Sequence, residues 1–114
     1  MASIDTSLVD SELRKLIKIS QGVKKLVKKT LEEIEKDPSS FPKLSDVPNE
    51  LMNVESLVAI RKAKIINQKH DFRILFAHWK FADGKEHVVL LMIFPRKDDY
   101  RIDWDWIESS IRER

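Results

Sequence analysis

Four cations set the first chemical question in this chain: Lys62, Lys64, Arg73 and Arg96. Lysine and arginine at alternating or facing strand positions put positive charge on one sheet face, where a phosphate would meet it. Arginine's planar fork can hold two phosphate oxygens at once. Like charges opposed across strands cost some tenths of a kcal/mol each, so folding alone does not favour such a cluster. A phosphate backbone reverses that sign. The alternative is a polar solvent face, with lysine stems lying over Leu75 and Met92.

The remaining candidate chemistry is sparser. Lys24, Lys25, Lys28 and Lys29 crowd the start of a helical segment whose end carries Glu32, Glu33 and Glu35. That layout opposes the helix dipole and suggests a basic patch, or simply a solvated helix. Lys69 and His70 fall in a loop and could touch a polyanionic partner. His78 and His87 take apolar-face positions and read as core or rim residues. There is no cysteine, which excludes disulfides and thiolate chemistry. No HExxH, P-loop or dinucleotide fingerprint occurs, and two glycines do not make a phosphate-cradling loop. No metal and no cofactor is expected. Trp79, Trp104 and Trp106 read as packing residues.

Charge is unevenly distributed although the net is only +2. Arg14 to Lys29 holds seven Lys/Arg and no acid, whereas Asp98 to Glu108 holds five acids against Arg101. Such blocks suggest a polyanionic partner. No apolar run approaches the roughly 20 residues of a membrane span, and the N-terminus lacks a signal-peptide pattern. The expectation is a cytoplasmic protein.

The elements that must position these residues follow from periodicity. Residues 8–20 and 22–37 carry apolar stripes at helical spacing, with a break expected at Gly22, giving a helical hairpin. Pro38 ends the second helix. Residues 57–66, 72–79 and 87–94 alternate as three strands. Asp83-Gly84 signals a two-residue hairpin loop with positive φ at both positions, so that opposed residue numbers sum to 167. That register sets Arg73 opposite Phe94, Leu75 opposite Met92 and Phe76 opposite Leu91. A four-residue loop at 67–70 sets Lys64 opposite Arg73 and Lys62 opposite Leu75. Arg96 joins the Arg73 face if its strand continues through Pro95. Arg61 falls on the apolar face and is a misfit. Residues 101–113 could continue as a short strand through Trp104 or form a helix with Trp104, Ile107 and Ile111 on one side; the helix is the preferred reading. The fold class is α+β: an N-terminal helical hairpin on one face of a small antiparallel sheet, with a short C-terminal helix. Residues 1–114 form one domain, with 101–114 as a C-terminal extension.

The helical hairpin, "FPKLSDVP", "RKAKIINQKHDFRILF", the DG hairpin and "IFPRKDDY" together resemble the RelE/ParE superfamily of bacterial type II toxin–antitoxin systems. The likeness covers roughly residues 10–100 and rests on Arg73, Arg96 and Tyr100 in order. It implies a toxin that cuts mRNA in the ribosomal A site without a metal. The RNA 2′-hydroxyl would attack the adjacent phosphate, which calls for a base, cations for the phosphorane and an acid for the leaving oxygen. By resemblance, Lys64 and Arg73 stabilise charge and Arg96 or its surroundings donates a proton. Tyr100 serves as base or stacking group, and Lys62 holds the RNA backbone. A cognate antitoxin would cover the basic cluster and the helical hairpin. The same resemblance also admits a ParE-like DNA gyrase inhibitor, or a non-toxic RNA- or partner-binding domain.

Overall fold

The computed structural model describes residues 1–98 and 102–113. The chain is α+β. In order it runs β1 (Ser3–Asp5), α1 (Asp10–Ile17), α2 (Gln21–Lys36), α3 (Asn49–Met52), β2 (Leu57–Asn67), β3 (His70–Lys80), β4 (Glu86–Pro95) and α4 (Trp104–Arg112). The sheet order is β1-β4-β3-β2. β2, β3 and β4 form the expected antiparallel meander, but β1 pairs parallel to β4 at residues 87–89. The sheet is therefore mixed, and a strand precedes the helices. Three residues are too short to show a period, which is why Ser3–Asp5 gave no strand signal.

Each sheet face has its own core. The helical hairpin covers one face, where Leu16, Val23, Val27 and Ile34 pack on Ala63, Ile65, Ile74 and Phe76. On the other face, α4 and the α3 segment bring Ile107, Ile111 and Leu51 onto Ile60, Leu75, Leu91 and Phe94. Trp104 packs beside Ile107 and Ile111 as the helical spacing predicts. Asp103 caps α4 by accepting from the Trp106 N–H at 3.1 Å.

The break in the helical hairpin is not at Gly22. It falls at residues 18–20, where the Ser20 hydroxyl accepts the Val23 N–H at 3.1 Å and caps α2. Gly22 lies in the first turn of α2, where an added Cβ would sit 2.9 Å from Asn67 Nδ2. Ser20→Ala should lower stability by about 1 kcal/mol. Gly22→Ala should cost less, since the Asn67 amide can swing aside; urea melts of both variants compare them.

The β3–β4 register differs from the predicted one in its upper half. Of Asp83 and Gly84, only Gly84 has positive φ, at 86°. Phe81 closes on Lys85 (N···O 2.8 Å), and the Gly84 N–H bonds the Phe81 carbonyl at 2.9 Å. The loop is thus three residues, a type I turn ending in left-handed glycine, and near it the opposed numbers sum to 166. A bulge between Leu75 and Phe76 absorbs the difference. Below it Ile74–Ile93, Leu75–Met92 and Arg73–Phe94 are opposed as predicted, whereas above it Phe76 faces Leu90 and His78 faces Val88. The one-residue slip moves Val89, Leu91 and His87 to the other face. His87 therefore leaves the hairpin-covered face, stands opposite Trp79, and has Nδ1 2.6 Å from Ser3 Oγ.

Candidate phosphate-binding face

The β2–β3 register brings together the residues that matter most. Lys64 stands opposite Arg73 and Lys62 opposite Leu75, although the loop is tighter than expected, with Asn67 paired to His70. These residues share the face away from the helical hairpin. Lys64 is exposed and has no ion pair or hydrogen bond among the described residues. Lys62 is half-buried, and its backbone N–H bonds Pro42 O at 3.1 Å, where the 42–44 segment covers the β2 edge.

Arg73 is only 5% exposed, less than a solvent-face cation should be. Its Nη1 is ion-paired to Asp71, two residues back on the same strand face, and also reaches the Phe72 carbonyl at 3.3 Å. Its Nε is buried without a partner among the described residues. An orphaned guanidinium N–H of this kind costs on the order of 1–3 kcal/mol. Asp71 stands among Lys62, Lys64, Lys69 and Arg73 in the sequence; strand alternation, which sets it beside Arg73, is the signal that could have found the pair.

Arg96 does not join that face by strand alternation. β4 ends at Pro95, which lacks a ladder donor, and Arg96–Asp98 form a 3-10 turn. The condition for placing Arg96 beside Arg73 therefore fails. Arg96 remains at the same end of the sheet, exposed, because Pro95 faces Phe72. Tyr100 lies outside the described residues. Lys24, Lys25, Lys28 and Lys29 are all exposed on a helix that covers the opposite sheet face, so they form a second basic surface rather than part of the Lys64–Arg73 group. Lys69 is exposed in the β2–β3 turn, and the His70 ring stacks on Phe72 at 6.5 Å and 15°.

The Arg61 misfit resolves into a buried polar chain. Arg61 donates from Nη1 to Phe41 O (2.8 Å) and from Nε to His78 Nδ1 (3.2 Å). His78 Nε2 then meets Glu86 Oε1 at 3.0 Å. Because Nδ1 accepts, His78 is the neutral Nε2–H tautomer. Burial, the largest cause, lowers its pKa; the Glu86 hydrogen bond opposes this and the Arg61 and Lys80 charges add to it. The fold thus favours neutral His78. Its contribution is full above histidine's ordinary 6.5 and is lost as pH falls below that toward the lowered folded value. Urea melts at about pH 7.5 and about pH 5.5 should show wild type weakening at the lower pH, and His78→Phe should flatten that slope.

Among the described residues, no group of three or more His, Asp or Glu is arranged to hold a metal, and no helix is long and apolar enough to cross a membrane. No family model, curated protein or solved structure matches this chain.

Proposed function

We propose that this chain is a RelE/ParE-like toxin: a metal-independent, ribosome-dependent mRNA endoribonuclease of the cytoplasm, restrained by a cognate antitoxin. The observation that carries the reading is the Lys64–Arg73 pair. Two cations face each other across β2 and β3, and one of them holds a buried N–H with no partner among the described residues. With the Arg73 side chain turned out from Asp71, a phosphate oxygen would satisfy that donor and take over the neutralisation that Asp71 supplies in the free protein. Arg73 and Lys64 would then stabilise the charge of the phosphorane formed by 2′-hydroxyl attack. Arg96 would stand near the leaving oxygen, Lys62 near the flanking backbone, and Tyr100 would act as base or stacking group.

The same residues give a second reading its ground. Asp71 already neutralises Arg73 in the free protein, as suits a gyrase-inhibiting or non-toxic binding member with no reaction to run. Inducing the chain alone in bacteria separates the two. The ribonuclease reading expects amino-acid incorporation to stop while plasmid supercoiling is normal. Relaxed plasmid with intact translation would transfer the assignment to gyrase, and harmless expression would leave only a binding role.

A further inference from the structure

At the Lys64–Arg73 end of the sheet, the strands place one proton acceptor on the face that those two cations share. Lysine and arginine side chains carry donors only. Strand alternation takes His70 to the other face, where its ring stacks on Phe72 and Phe72 packs on the helical-hairpin side. His87 reaches the Arg73 face only at the far end of the sheet, opposite Trp79. Asp71 is on the Arg73 face, two residues away, with its side chain 29% exposed. It stands opposite Ile66, itself 52% exposed, so the carboxylate lies at the open end of the face. Lys64 is two residues before Ile66, and Arg96 follows Pro95, the residue opposite Phe72. Asp71 is thus a carboxylate set among Lys64, Arg73 and Arg96.

The bond between Asp71 and Arg73 is one that a phosphate can exchange. Arg73 gives the carboxylate a single nitrogen, Nη1, and not the two-pronged contact in which an arginine–carboxylate pair is strongest. Its Nε stays buried with no partner among the described residues. A pair kept only to neutralise Arg73 would gain from a second bond. When a phosphate draws Arg73 to itself, the Asp71 carboxylate is released on the same face, beside the same phosphate. A 2′-hydroxyl attacking that phosphate must lose its proton close to the arginine fork, to an acceptor within hydrogen-bond reach.

We propose that Asp71 is the general base of this site and accepts the proton of the attacking 2′-hydroxyl. The assignment rests on the RNA-cleavage reading of the Lys64–Arg73 face and leaves Tyr100 the stacking role. As the proton moves to the Asp71 carboxylate, the 2′-oxygen bonds to phosphorus. The bond from phosphorus to the 5′-oxygen breaks, and that oxygen takes a proton from water at the Arg96 end. The products are a 2′,3′-cyclic phosphate and a 5′-hydroxyl, and Asp71 returns its proton to water. The test uses the purified full chain and bacterial ribosomes carrying a defined mRNA. Single-turnover cleavage is measured on that mRNA, and affinity on a copy 2′-O-methylated across the A-site codon, which has no hydroxyl to attack. Asp71→Asn should cut at least about 100-fold more slowly, the scale of one general base, while holding the methylated copy as tightly as wild type or tighter. Asp98→Asn, in the turn after β4, should cut as wild type does. Wild-type rates in Asp71→Asn, with Arg73→Ala inactive, would overturn the base and keep the cleavage reading. So would a slow Asp71→Asn whose affinity falls in parallel, or a loss found in Asp98→Asn instead. Wild type that binds the ribosome and never cuts would overturn both.

Discussion

Arg73→Ala should abolish growth arrest and mRNA cleavage, with a loss of at least about 100-fold, the scale of removing one preorganised charge stabiliser. The fold should survive. Arg73 satisfies no buried acceptor except through Asp71 and Phe72 O, and Asp71 is open enough to solvent to stand alone. A melting temperature within a few degrees of wild type would therefore accompany the lost activity, and that pairing is what distinguishes a site residue from a core residue. On binding, Asp71→Asn should act in the opposite direction. It frees the Arg73 fork, so binding of RNA at fixed salt should tighten, with a steeper salt dependence because one more cation is available to phosphate.

The second large effect is on stability, at Arg61. Its side chain is 4% exposed and bridges Phe41 O to His78. Burial lowers its pKa, and the charges of Asp37 and Glu86 oppose that shift; a guanidinium keeps its proton in either case. Arg61→Met keeps much of the volume but strands the Phe41 carbonyl and His78 Nδ1 without a donor. The cost should be about 3 kcal/mol, read as a melting temperature lower by roughly 10 °C or more. A double variant with His78→Phe should recover part of that loss, since one stranded acceptor is gone with the donor. Full additivity of the two changes would show that the two side chains do not act together.

How much was legible in the sequence depended on the range of the signal. Helical stripes and strand alternation extend over many residues, so α1, α2, α4 and the three long strands were readable, as was the β2–β3 register that sets Lys64 against Arg73. Ser3–Asp5 was not, because its strand exists only through pairing with β4. The β3–β4 register was half right: Asp83-Gly84 signals a hairpin but not its loop length. One extra residue moved Val89, Leu91 and His87 across the sheet until the bulge restored alignment. Arg61 was visible as a misfit on an apolar face, but its partners, His78 across the strand pair and Phe41 O from the connecting segment, are tertiary. Arg96 depended on a strand continuing past Pro95, and the chain turns there instead. Asp71 is the instructive case. It stands two residues from Arg73, and strand alternation alone sets the two side by side, so the ion pair could have been inferred.

A phosphate site serving RNA cleavage at the Lys64–Arg73 pair can be read out by primer extension on mRNA from cells induced for wild type, Arg73→Ala and Lys64→Ala. Cuts within translated frames should appear for wild type and disappear in both variants at matched protein levels. Equal cutting in all three, or intact mRNA in wild-type cells whose growth has stopped, would contradict it.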